Sequence, residues 1–116
     1  MRSSGEFART IRAGVRAGRP SLVVHASLEA SDPRPGTGSA DPARVGFVVS
    51  KAVGDAVTRN RVKRRLRHLV RDRLDVLPPG SRLVVRALAP AAAQPERLAG
   101  DLTEALRRAV DRLVRS

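Results

Sequence analysis

Apolar positions along this chain follow two rhythms, one of period two and one near 3.6, and their order predicts a mixed α/β protein. Leu22 to Leu28 (L-V-V-H-A-S-L) and Arg44 to Ser50 (R-V-G-F-V-V-S) are short runs rich in β-branched residues and read as strands. Arg82 to Leu88 supplies a third. Helical spacing governs the rest. Phe7 and Ile11 stand at i, i+4 in a short helix predicted over Glu6 to Ala13, which Gly14, Gly18 and Pro20 then break. Val62, Leu66, Leu69, Val70 and, at the far end, Leu74 make one apolar stripe on a helix beginning near Thr58. Leu98, Leu102, Ala105, Leu106, Ala109 and Leu113 do the same on a final helix, Glu96 to Val114.

Between these elements lie segments with no apolar period. Glu29 to Ala43 is rich in Pro, Gly, Ser and Asp and is expected to be a flexible loop joining two strands. Lys51 to Val57 is a connection containing Gly54, and Pro90 to Pro95 is a low-complexity connector. A strand, a helix and a strand in succession imply a crossover and a parallel pair. With 116 residues and no internal repeat, the chain is long enough for one modest core and too short for two. A single domain over 1–116 is expected.

Charge changes the picture. Between Lys51 and Arg73 nine Lys or Arg face two acids, Asp55 and Asp72, and the whole chain carries a net charge of +12. Such a density of like charge repels itself unless a polyanion lies beside it, and counterion release makes nucleic acid the natural partner. No apolar run approaches the roughly 18 residues of a spanning helix, so no membrane partner is expected. The absence of cysteine removes disulfides and thiolate zinc sites. The N-terminal residues lack the apolar core of a signal peptide, and a cytoplasmic location is expected.

On the basic helix, at about 100° per residue, Asn60, Arg64, Arg67 and Arg71 share an arc of roughly 60° with Lys63 at its boundary. Arg61, Arg65 and His68 occupy the other polar flank. Arg59 and Arg61 stand in the first turn, where the helix dipole is already positive and an acid is normally preferred. Free backbone N–H groups, a glycine turn and several Arg together make a seat for phosphate. The plainer alternative is a solvated cationic face. Composition alone also leaves open a structural RNA binder of ribosomal type or a DNA-binding helix. A nuclease site within the polypeptide is not expected: His25 and His68 lie in different elements and the eleven acids are scattered singly. Asp55, beside Gly54, reads as a turn or helix cap.

The stretch Val45 to Arg67, V-G-F-V-V-S-K-A-V-G-D-A-V-T-R-N-R-V-K-R-R-L-R, resembles the signature of the bacterial ribonuclease P protein component. In that family a strand ends in Ser-Lys, a Gly- and Val-containing connection follows, and an R-N-R-x-K-R-x-x-R helix comes next. Ser50-Lys51, Val53-Gly54, Ala56-Val57, Arg59-Asn60-Arg61, Lys63-Arg64 and Arg67 meet the pattern. The resemblance implies a small two-layer α/β (α+β) sandwich with an element order of α-β-β-β-α-β-α. Its mixed sheet would have about four strands, the first of them short, and the basic helix would make an unusual left-handed crossover. The default for such units is right-handed.

The resemblance also implies a function. The chain would be the non-catalytic subunit of ribonuclease P, binding the catalytic RNA and the 5′ leader of precursor tRNA. The RNA would hold the catalytic Mg2+. Lys51, Arg59, Asn60, Arg61, Lys63, Arg64 and Arg67, with Arg71 on the same cationic edge, would contact that RNA, and DNA would not be a partner. A second family surface, a cleft between the sheet and the first helix, holds single-stranded leader on aromatic rings. Phe7 matches one such position, whereas Ile11 and His25 stand where the family often has aromatics. The departure predicts a leader grip that relies more on Arg.

Overall fold

The computed structural model describes residues 14–28, 43–77 and 80–115. Four strands, β1 (Val15–Gly18), β2 (Leu22–Leu28), β3 (Arg44–Val49) and β4 (Ser81–Ala87), form one sheet in the order β1-β2-β4-β3. The β1–β2 and β2–β4 pairs are antiparallel and β3–β4 is parallel, so the sheet is mixed. The parallel pair is joined through α1 (Ala56–Arg71), because parallel neighbours need a long return path. A single turn, α2 (Pro90–Ala93), then leads to α3 (Leu98–Arg115).

Alternation along the strands divides the sheet into two faces. Leu22, Val24 and Ala26 of β2 and Leu83, Val85 and Ala87 of β4 point into the core, where they meet Leu66 of α1 and Leu98, Leu102 and Leu106 of α3. α3 packs over β1 and β2, and α1 packs over β3. All six inward positions expected on α3 are buried. Each fully buried leucine contributes about 1.5–3 kcal/mol relative to exposure, which is enough to hold two helices on one face.

Polar ties fix the edges of this layer. Asp101, in the first turn of α3, accepts hydrogen bonds from the Ser21 backbone N–H (3.1 Å) and the Ser21 hydroxyl (2.6 Å), and Arg19 Nε lies 3.7 Å from its other oxygen. The β1–β2 turn is thereby fastened to the helix start. Arg112 donates to the Arg16 carbonyl. At the far end of α1, Arg73 donates to the Leu69 carbonyl (2.8 Å) and to the Thr103 hydroxyl (2.9 Å), joining the two helices.

The structure corrects several expected boundaries. α1 begins at Ala56, two residues before Thr58, because Asp55 caps it. Leu74 leaves the apolar stripe: the chain tightens into a 3₁₀ turn over Leu74–Val76 and Leu74 is 42% exposed. The Pro90 to Pro95 connector is structured as α2, with Pro in its first turn where the missing N–H is harmless, followed by a 3₁₀ turn over Pro95–Arg97. β3 stops at Val49 and β4 starts at Ser81, each one residue earlier than the apolar pattern suggests. The expected Glu6 to Ala13 helix lies outside the described residues. So does the expected loop from Glu29, apart from Ala43, which packs against the core.

Candidate nucleic-acid interface

The basic helix is aimed by the connection before it. After Ser50 the chain makes one 3₁₀ turn, Lys51–Val53, in which Val53 N–H donates to the Ser50 carbonyl (3.1 Å) and Gly54 N–H to the Lys51 carbonyl (3.2 Å). Val53 is buried and anchors the turn, while Lys51 projects into solvent. Gly54 adopts φ 154°, a conformation L side chains rarely take, and so is the one residue type suited to the bend. Asp55 follows as the helix cap. Its carboxylate accepts from Thr58 N–H at 2.8 Å. That backbone bond, followed by the Thr58 side chain and the charges of Arg59 and Arg61, holds the Asp55 carboxyl below its ordinary range. The cap thus places one negative group against a first turn that contains no other acid.

Along α1, Val62, Leu66 and Val70 are buried against the sheet. Asn60, Arg61, Arg64, Arg65, Arg67, His68 and Arg71 are exposed, and Lys63 is half-buried at the edge. Both polar flanks therefore stand as the spacing indicates. Arg59 differs: it is half-buried, with Nε shielded from solvent and without a hydrogen-bond partner. Its position, about 60° around the helix from Val62, brings its stem onto the packed side. Among the described residues no carboxylate forms an ion pair with any cation of α1. On α3, by contrast, Glu104 pairs with Arg107 (2.8 Å) and Arg108 (3.0 Å).

The sheet's other face carries a second cationic arrangement. Register places Arg16, His25, Val84 and Gly46 in one row across the four strands, with Val23, Arg86 and Val48 in the next. His25 is buried, and burial first, then the charges of Arg16 and Arg86, lower its pKa, so the imidazole is neutral. Its Nε2 has no hydrogen-bond partner. Arg16 and Arg86 are exposed. Arg86 falls on a strand that the sequence predicts and Arg16 on one that it does not, and their placement around His25 depends on strand order, which no local pattern reveals. Phe7 and Ile11, the other expected members of this surface, lie outside the described residues. Phe47 packs on the opposite, core side.

Among the described residues no three His, Cys, Asp or Glu side chains converge on a possible metal position. No described helix is long and apolar enough to cross a membrane.

The family description "Ribonuclease P" matches residues 1–110, which is nearly the whole chain. The chain belongs to the ribonuclease P protein family. The ribonuclease P protein component of Streptomyces avermitilis is 59% identical over 109 residues, covering 93% of this chain and 89% of that protein. That of Streptomyces bikiniensis is 60% identical over the same length and coverage. Among solved structures, the Staphylococcus aureus RNase P protein superposes with a TM-score of 0.77 over 94% of this chain and 93% of that one, at 24% identity. At that identity the likeness is one of fold. The RNase P protein from Thermotoga maritima gives a TM-score of 0.75 at 25% identity, covering 93% of this chain and 94% of that one. Family membership makes the chain the non-catalytic protein subunit of the ribonuclease P holoenzyme, an RNA-binding component of tRNA 5′ processing. The ribosomal-type alternative gains no support.

Proposed function

We propose that α1 and the turn before it dock this subunit onto the catalytic RNA, with Lys51, Arg59, Asn60, Arg61, Lys63, Arg64, Arg67 and Arg71 as the contact residues. The α1 cations, which meet no carboxylate among the described residues, carry this reading, whereas the less basic α3 satisfies Arg107 and Arg108 internally. Exposed guanidinium groups form bidentate contacts with phosphate, and each contact releases a condensed counterion. Asn60, between two arginines, adds a neutral donor and acceptor suited to a ribose or base edge.

The sheet face around His25 holds the single-stranded 5′ leader of precursor tRNA, together with Phe7 and Ile11. Arg16 and Arg86 there attract the leader backbone, with the buried His25 imidazole in the sheet between them. Bond cleavage is left to the RNA, which carries the Mg2+. The work of the polypeptide is to screen phosphate repulsion between two RNAs and to fix the substrate in register. The subunit acts as one domain over 1–116, in the cytoplasm.

The test is cleavage of a precursor tRNA by a bacterial ribonuclease P RNA at low magnesium, with and without the purified protein. The protein should raise the rate, more so for a substrate with a leader than for one cut back to a single nucleotide. Equal binding to duplex DNA with no change in cleavage rate would overturn the reading.

A further inference from the structure

α1 has two cationic flanks, one of them bearing Asn60, Arg64, Arg67 and Arg71. The other, bearing Arg61, Arg65 and His68, together with Arg64 from the first, forms one wall of a groove of about 540 Å3 whose opposite wall is α2 and the Pro95 turn. That volume lies within the roughly 300–1,000 Å3 of pockets that enclose a small organic ligand. The groove has carbon at its base and cations at its rim. Ala91 and Leu98 are buried beneath it, Ala92 is half-buried, and Pro95 is exposed at its lip. Arg61, Arg65 and His68 stand exposed along the rim, and among the described residues no acid pairs with them.

We propose that this groove seats one unpaired nucleotide of the RNA partner, its base lying on Ala92 and Pro95 and its phosphates bridging Arg61 and Arg65. A duplex presents a ridge of sugar and phosphate, which gains nothing from an alanine–proline floor. A splayed-out nucleotide presents both a flat apolar face and an anion, the two chemistries the groove offers. His68 at the rim supplies a ring edge against which the same base can rest. Small side chains at Ala91 and Ala92 keep the space open, and the 3₁₀ turn at Pro95–Arg97 holds Pro95 opposite the arginines. The inference rests on α1 being the RNA-docking element and adds to it a position that reads strandedness.

The chain contains no cysteine, so Ala92→Cys introduces a unique thiol that can carry an azidophenacyl photoprobe. In complex with a bacterial ribonuclease P RNA, the probe should crosslink to a nucleotide that lacks a Watson–Crick partner. Crosslinking only to helical nucleotides, only to protein, or not at all would overturn the proposal. Filling the groove with Ala92→Leu should weaken RNA binding about tenfold with its salt dependence intact, because only the base contact is lost. Arg65→Ala, at an exposed position, should weaken binding and reduce the salt slope by about 0.7–0.9, the signature of one lost phosphate contact. Wild-type affinity in both variants, alongside weakened binding in Arg67→Ala and Arg71→Ala, which lie outside the groove, would discard the groove and keep the docking helix. Wild-type affinity in all four would discard both.

Discussion

A Cβ placed on Gly54 would fall 2.9 Å from Cγ2 of Thr58, closer than real side chains approach. Thr58 cannot withdraw, because its N–H is held by the Asp55 carboxylate at 2.8 Å. Gly54→Ala therefore meets two penalties, the clash and a φ of 154°, and either the turn or the helix start must shift. The expected cost is about 1–3 kcal/mol, read from chemical unfolding. Binding to catalytic RNA should fall as well, since Lys51 and Arg59 lie on either side of the displaced bend. Thr58→Ala in the Gly54→Ala background, by removing the obstructing methyl and hydroxyl, should recover part of the loss.

The Asp101–Ser21 tie makes the opposite kind of prediction, loss of stability without loss of recognition. Asp101 is buried and its acceptors serve the Ser21 N–H and hydroxyl, with Arg19 close by. Asp101→Ala leaves those donors buried without an acceptor and should cost about 2–4 kcal/mol. No α1 residue is touched. RNA affinity measured well below the melting temperature should stay at the wild-type value, and a parallel loss of affinity would show that β1 and α3 belong to the docking surface.

Arg59, Arg61 and Arg64 fall in one motif yet should separate on mutation. Arg61 and Arg64 are exposed, so alanine at either should weaken RNA binding, lower its salt slope by about 0.7–0.9 per lost contact, and leave melting unchanged. Arg59 is half-buried, with its stem against the packed side of α1. Arg59→Ala should therefore lower both affinity and thermal stability. Titrating each variant with RNA at several salt concentrations, beside its melting curve, resolves the two effects.

Much of this was legible in the sequence because it is local. Periodicity located three of the four strands and both long helices, since a period of two or 3.6 is written in neighbouring residues. The family motif around Gly54 and Arg59 marked the candidate interface. The packed stem of Arg59 was less visible, because a charged residue in a stripe of Val62 and Leu66 reads as polar whatever its stem does. The short β1 strand, with Gly18 and only Val15 and Ala17 facing the core, has too few apolar positions to announce itself. Arg16 and Arg86 came together around His25 through two strand pairings, and the groove beside Arg65 arose where an alanine-rich segment folded back as α2. Such neighbours are set by tertiary return of the chain, which spacing along it does not encode.

His25 gives the fold an acid sensitivity of predictable sign. Burial, then Arg16 and Arg86, lower its pKa below the ordinary 6.5, whereas in the unfolded chain that ordinary value is restored. Above pH 6.5 both states hold the ring neutral and the stability linked to it is fully present. As pH falls below 6.5 the unfolded state takes up a proton that the folded state resists, so stability drops until the folded pKa is passed. Wild-type protein should thus melt at lower temperature at pH 5.5 than at pH 7.5, both chosen as about one unit either side of the ordinary value. His25→Gln, which cannot titrate, should lose most of that difference. Leader affinity adds a second readout: an anion between Arg16 and Arg86 offsets their charge, the lesser cause of the lowered pKa, and moves it part of the way back toward the ordinary value. Binding of single-stranded leader should then take up a proton near pH 6 (about the His range), detectable as a buffer-dependent heat in calorimetry that vanishes in His25→Gln. A buffer-independent heat would place the leader away from this row of the sheet.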